Sequence, residues 1–371
     1  MKQFLTFLSF LFITNVNAQW SYIKEMPKAL SKHTATLYNG KIYVFGDKYT
    51  FLYDPSINTW KTIDTVTKIG EYKTAVTLLD KIYITGDDIT LIFNPSNNDW
   101  DTLKPPIPKN FRRNCAVALN NKLYVMGGDS GLYFSNSFLE FDPAQNKWNY
   151  KEKMITARRL PSASTANGKI YVSGGFANDV LSAFEVYNPL SKQWDLIQQL
   201  PSRRYQHVQG KIMLNGNEKI FIAGGYNDNE LIDFHIYDPL SEKWFEMKDM
   251  NEYRYRFCAV SIDNCIYVFG GFNSSGTDRA TAEKICINSL SIKPENFKKS
   301  NLIYPNPSNG VININITESD FLFEVFDIYS HKIIYKNSIN KKIENLPLAS
   351  GLYYYRLKTN NNFYNGKLII N

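Results

Sequence analysis

Six short apolar runs, each closed by glycine, punctuate the chain. They are Ile42-Tyr43-Val44-Phe45-Gly46, Ile82-Tyr83-Ile84-Thr85-Gly86, Leu123-Tyr124-Val125-Met126-Gly127-Gly128, Ile170-Tyr171-Val172-Ser173-Gly174-Gly175, Ile220-Phe221-Ile222-Ala223-Gly224-Gly225 and Ile266-Tyr267-Val268-Phe269-Gly270-Gly271. β-Branched and aromatic residues dominate them and no helical period runs through them, so they predict strands. A second pattern follows five of the runs: an aromatic residue, then Asp or Asn with Pro, then Trp seven positions after the aromatic. Its copies run from Tyr53 to Trp60, Phe93 to Trp100, Phe141 to Trp148, Tyr187 to Trp194 and Tyr237 to Trp244. An apolar run, a turn signal and a second strand make a hairpin. The copies recur at roughly 40 to 50 residues, the period of propeller repeats.

The chain has six Trp, and five of them close these hairpins. The sixth is Trp20, while the last repeat has none of its own. This predicts that Trp20-Ser21-Tyr22-Ile23 supplies the outer strand of the last repeat and closes a ring. Closure removes free sheet edges.

A strand ending in Gly-Gly, then an aromatic residue, then Trp resembles the kelch repeat. The resemblance implies an all-β chain: a six-bladed kelch β-propeller over residues 19–290, each blade a four-stranded antiparallel sheet around a central channel. Glycine at the strand exit tolerates backbone angles that a side chain obstructs, and Trp fills the wedge between blades.

Near residue 290 the repeats stop, and residues 291–300 are polar, as in a linker. Alternation resumes at Val311–Ile316, Phe323–Tyr329 and Gly351–Leu357, which predicts a small β-sandwich. Tyr304-Pro305-Asn306-Pro307-Ser308-Asn309-Gly310, Asp327-Ile328-Tyr329, Leu348-Ala349-Ser350-Gly351-Leu352-Tyr353 and the final Gly366–Asn371 resemble a type IX secretion C-terminal sorting domain. For residues 301–371 the resemblance implies an encounter with the type IX machinery. It further implies export across the outer membrane of a Gram-negative bacterium, with release or attachment at the surface. Residues 1–18 fit the first stage: Lys2, an apolar run from Phe4 to Ile13, then Val16-Asn17-Ala18 read as a secretory signal peptide. No later segment approaches the apolar length of a membrane helix.

Composition agrees with a large packed core: 371 residues, 44% apolar and 15% aromatic. The formal charge of +7 is modest, and without a Lys/Arg block no nucleic-acid partner is expected. Export permits disulfides. Of four cysteines, Cys265 and Cys286 fall on neighbouring predicted strands and are the candidate pair. Cys115 and Cys258 occupy matching places in different repeats and read as buried free thiols.

Few residues of the chain point to chemistry. None of His33, His207, His235 and His331 stands in a metal-ligand spacing, and no nucleophile elbow or phosphate loop occurs, so no catalytic residue, metal or cofactor is assigned. Among propellers similar to this one, a copper oxidase and a sialic acid mutarotase are enzymes, but the chain lacks the His set for copper. Arginine is more suggestive. Arg112-Arg113, Arg158-Arg159, Arg203-Arg204 and Arg254-Tyr255-Arg256 precede successive inner strands, which aims arginine at one mouth of the channel. Guanidinium groups there suit a carboxylate or sulfate. The alternative is pairing with carboxylates of neighbouring blades. The loops after Gly-Gly are longer in the last four repeats and carry Tyr133, Phe176, Tyr226 and Phe272. The expected ligand-binding set is therefore Arg112, Arg158, Arg204, Arg254, Phe176, Tyr226 and Phe272, for a carbohydrate or protein ligand. The alternatives are a sugar-acid mutarotase or lyase and a structural adhesin module.

Overall fold

The computed structural model describes residues 18–64, 69–108, 111–273, 275–287, 303–309, 311–315, 321–326, 332–338, 342–343, 346–359 and 363–371. The expected signal peptide, except Ala18, and the whole expected linker lie outside these residues. All regular elements among the described residues are strands.

Six four-stranded antiparallel sheets form the blades. Blade 1 comprises Thr34–Tyr38, Lys41–Phe45, Thr50–Asp54 and Thr59–Asp64. Blade 2 comprises Thr74–Leu78, Lys81–Gly86, Ile89–Asn94 and Asp99–Thr102; blade 3, Cys115–Leu119, Lys122–Met126, Phe138–Asp142 and Lys147–Tyr150. Blade 4 comprises Ser162–Ala166, Lys169–Ser173, Phe184–Asn188 and Gln193–Leu196; blade 5, Val208–Leu214, Asn217–Tyr226, Glu230–Asp238 and Lys243–Glu246. Blade 6 takes Cys258–Ile262, Cys265–Phe269 and Ala282–Cys286 from one end of the chain and Ser21–Ile23 from the other. The first strands of the blades stand side by side around the channel, with Cys258–Ile262 beside both Val208–Leu214 and Thr34–Tyr38.

The sequence patterns now have physical causes. Each blade's second strand is packed on both faces by neighbouring blades, so Ile42 to Phe45 and their counterparts are buried without alternation. The Asp or Asn before Pro accepts the backbone N–H two residues on: Asp54 from Ser56 (3.1 Å), Asn94 from Ser96 (3.1 Å), Asp142 from Ala144 (2.9 Å), Asn188 from Leu190 (3.0 Å) and Asp238 from Leu240 (2.9 Å). This side-chain turn starts the return to the outer strand. In three blades Trp then donates its indole N–H to a carbonyl of the segment entering the blade: Trp60 to Lys24 O (2.9 Å), Trp148 to Pro105 O (3.2 Å) and Trp194 to Glu152 O (2.8 Å).

Trp20 does the same, donating to Lys248 O at 2.9 Å and packing edge-on to Phe234 at 5.4 Å. Directly after it, Ser21, Tyr22 and Ile23 pair with Lys284, Glu283 and Ala282, so the chain's two ends close one sheet. Cys265 and Cys286 face each other in that sheet and are joined by a disulfide. Cys115 and Cys258 are buried free thiols, and burial pushes the Cys115 thiol up to about 12.

The tail forms two further sheets. One orders Ile303–Tyr304, Ile312–Ile314 and Lys342–Ile343; the other orders Lys332–Ser338, Phe321–Phe326, Gly351–Thr359 and Phe363–Ile370. Ile303, Ile312 and Ile343 from the first meet Phe323, Val325, Leu357 and Leu368 from the second in one core, which makes a sandwich.

Candidate functional site

The turn into each inner strand builds the mouth of the channel. Two residues before the strand, every blade carries a left-handed residue: Lys32 (φ 56°), Tyr72 (54°), Arg113 (53°), Leu160 (52°), Gln206 (54°) and Arg256 (57°). Their backbones link head to tail. Lys32 N–H donates to Arg256 O (2.8 Å), Tyr72 to Lys32 O (3.0 Å), Leu160 to Arg113 O (2.9 Å), Gln206 to Leu160 O (3.4 Å) and Arg256 to Gln206 O (3.0 Å). These five bonds follow the rim of a channel cavity of about 220 Å³, lined below by Ala35, Ala75, Ala116, Ala163, Gln209 and Ala259.

The Gly-Gly exits staple neighbouring blades. Gly128 N–H donates to Arg158 O (2.8 Å), Gly175 to Arg204 O (2.9 Å), Gly225 to Arg254 O (2.8 Å) and Gly271 to Leu30 O (2.9 Å). Gly224 shows why glycine is needed: its φ is +56°, and a Cβ there would lie 2.6 Å from Arg254 O.

This geometry corrects the placement of three arginines expected at the mouth. Arg158, Arg204 and Arg254 are 0% exposed and lie inside their blades, below the Gly-Gly loops. Arg158 pairs with Glu185 and donates to Gly174 O (2.8 Å) and Ala183 O (3.0 Å). Arg204 donates to Gly224 O and Asp233 Oδ1, both at 2.9 Å. Arg254 donates to Gly270 O (2.6 Å) and Glu283 Oε1 (2.8 Å). Each carboxylate belongs to the same blade, not the next, so the three form separate clamps rather than one pocket. The cause is the left-handed residue two places on: it swings the chain so that the residue four before the strand points back under its own loop. Arg112 stands one place later in that register, is 47% exposed, and lies 3.7 Å from Asp87.

Phe176, Tyr226 and Phe272 do reach the mouth, where the structure joins them to rings that the sequence left unmarked. Phe134 and Phe176 are 6.0 Å apart, Phe176 and Tyr205 5.6 Å, Tyr205 and Tyr226 5.8 Å, Tyr226 and Tyr255 5.2 Å, and Tyr255 and Phe272 5.5 Å. All six are half-buried and together form an arc over blades 3 to 6. Tyr133 stands outside it, 77% exposed. Arg159 lies over Phe134 (5.5 Å) and Phe176 (5.0 Å), and Arg256 lies over Tyr255 and Phe272, both at 5.1 Å. Among the described residues, blades 1 and 2 add one ring to the mouth, Tyr72, which lies under Lys32 (5.5 Å) and Arg256 (6.0 Å); Lys32 pairs there with Glu71 and Lys73 with Asp87.

His33 and His207 are buried beside the same turns. Burial holds His33 down at about 4 and His207 well below its ordinary value, so both are neutral at pH 7. His207 Nε2 lies 2.8 Å from Ser173 Oγ, enclosed between blades. Among the described residues no group of three His, Cys, Asp or Glu is placed to hold a metal ion.

Residues 85–271 match the family model of the KLHDC2/KLHL20/DRC7 Kelch-repeats domain. The chain belongs to the kelch-repeat family. A stretch of 119 residues is 30% identical to Kelch-like protein 33 of Homo sapiens, covering 30% of this chain and 22% of that protein. A stretch of 82 residues is 33% identical to an F-box/kelch-repeat protein of Arabidopsis thaliana, covering 20% of this chain and 21% of that one. The chain thus spans only about a fifth of these relatives' length. The solved structure of YjhT shares the fold, with a TM-score of 0.62 over 71% of this chain and 97% of that one, at 15% identity. Residues 302–371 match the family model of the secretion system C-terminal sorting domain. This kelch protein therefore carries an export signal of the type IX system at its C-terminus, and no described helix is long and apolar enough to cross a membrane.

Proposed function

We propose that this kelch protein is a binding module whose mouth takes a carbohydrate ligand outside the cell. Export by the type IX route supports a place at or beyond the outer surface of a Gram-negative bacterium. Residues 1–18 are removed as a signal peptide, residues 19–290 form the propeller, and residues 291–300 link it to the sorting domain at 301–371. The observation that carries the proposal is the aromatic arc from Phe134 to Phe272. Side chains on loops of a rigid scaffold are well placed to meet a ligand, and ring faces match the apolar faces of sugars. A mutarotase or lyase would need an acid–base pair converging with arginine on the substrate. Clamping of Arg158, Arg204 and Arg254 by carboxylates in three separate blades favours binding without chemistry over that alternative.

The test is a glycan and peptide array probed with the full chain and with Tyr255→Ala. Glycan hits that disappear in the variant, at unchanged melting temperature, are expected. Hits confined to peptides would reassign the ligand to protein, and hits indifferent to Tyr255 would remove the arc from the site.

A further inference from the structure

The cations of the mouth fall into two groups. Lys32, Lys73, Arg112, Arg113, Arg203 and Arg279 each lie within 4.0 Å of a carboxylate: Glu71, Asp87, Asp87 again, Asp129, Asp179 and Glu252 in turn. Arg159 and Arg256 have no carboxylate partner among the described residues. Arg159 Nε is buried with no hydrogen-bond acceptor at all, and Arg256 Nε donates only to the neutral amide of Gln206 at 3.2 Å. Both guanidinium groups lie against ring faces.

A ring holds a guanidinium by its face and leaves the N–H edge free, which is the edge that grips a carboxylate or sulfate in two parallel bonds. The two arginines approach one turn, Tyr205-Gln206, where Arg256 Nε meets Gln206 Oε1. Arg159 covers Phe176, whose ring is 5.6 Å from that of Tyr205; Arg256 covers Tyr255, which reaches Tyr205 through Tyr226. Burial raises the Tyr205 phenol above its ordinary value, and the charges of both Arg256 and Arg159 reach it and pull the other way.

Resting on the mouth as the binding face, we propose an anion subsite between Arg159 and Arg256 beside Tyr205, so that the glycan bound there is acidic, bearing a carboxylate or a sulfate. A cation half-withdrawn from water without a counter-ion is costly, and an anionic group arriving between two of them relieves both at once. Neutral sugars meet only the rings.

Titration of the full chain with three oligosaccharides of equal length tests this: a uronate, a sulfated one and a neutral one, with an acidic peptide as a fourth probe. At least one acidic glycan should bind about tenfold more tightly than the neutral one, and that advantage should shrink between about 50 and about 500 mM salt. Arg159→Gln and Arg256→Gln should each weaken the acidic glycan about tenfold and leave the neutral one unchanged, whereas Arg279→Gln, at a carboxylate-paired cation, should change neither by more than about twofold. The uronate and sulfate arms identify the group. Equal binding of acidic and neutral glycans, or Gln variants that bind like the original, would overturn the anion subsite while leaving the mouth as a sugar site. Binding of the acidic peptide alone would overturn the glycan as ligand, and no binding by any probe would take the mouth proposal down as well.

Discussion

Trp20→Ala is the sharpest probe of how the ring is closed. The indole is 6% exposed, packs 5.4 Å from Phe234, and shares a cluster with Val208, Met250 and Phe257. Truncating a buried Trp removes its transfer free energy and leaves a cavity, together about 3–5 kcal/mol. Its hydrogen bond to Lys248 O adds little, because water can replace the donor once the ring has gone. At roughly 2–4 °C per kcal/mol for a domain of this size, the melting temperature should fall by about 6–20 °C. The assay is differential scanning calorimetry of the variant beside Tyr22→Ala, whose side chain is 58% exposed on the same closing strand and should shift the transition by less than about 2 °C. A Trp20→Ala transition within that same small range would refute closure of blade 6 by the N-terminal strand.

Two further outcomes follow from buried charge. Glu283→Gln leaves the fully buried Arg254 with Glu252 alone as counter-charge and should cost about 2–3 kcal/mol in urea unfolding, with no change in glycan binding; a loss below about 1 kcal/mol would remove the clamp as a stabilising element. Burial holds His33 and His235 at about 4, below an ordinary 6.5, so the unfolded chain takes up their protons first. Stability is then complete above pH 6.5 and declines as pH falls from 6.5 toward 4, by about 3 kcal/mol for His33 alone. Urea midpoints that stay level across that window would contradict the neutral buried histidines. Asp233 acts lower on the scale: burial raises its carboxyl, but Arg204 outweighs this and holds it below the ordinary value, so its contribution is lost only as pH drops below about 4.

The ring was legible because each repeat spends its strongest local signals on architecture. Asp or Asn before Pro starts the hairpin turn, glycine marks the strand exit, and a sixth Trp without a hairpin of its own points to closure. The mouth was legible only in part. Adjacent arginines such as Arg158 and Arg159 look alike in the sequence, yet one is sealed inside a blade and the other lies on rings at the surface. What separates them is the left-handed turn two residues before the inner strand, a backbone property with no fixed residue type, as Lys32, Tyr72, Leu160 and Gln206 show. A signal for the clamps did exist in the alignment of repeats with one another. Where blades 4 and 6 place Arg158 with Glu185 and Arg254 with Glu283, blades 1 and 3 place Leu30 with Phe51 and Phe111 with Leu139, and these apolar pairs share cores. An ion pair or an apolar pair at the same two sites identifies an interior contact. The arc was harder to foresee, because Phe134, Tyr205 and Tyr255 come from loops and turns of different blades and meet only in three dimensions.

Hydrogen exchange of the full chain, with and without the tightest glycan from the array, measures directly where the ligand sits. Binding at the mouth should slow exchange in the turns at 111–113, 158–160, 204–206 and 254–256, and leave the opposite-face turns at Asn39-Gly40 and Asp263-Asn264 unchanged. Protection confined to those opposite turns, or to the sorting domain, would contradict the mouth as the binding site.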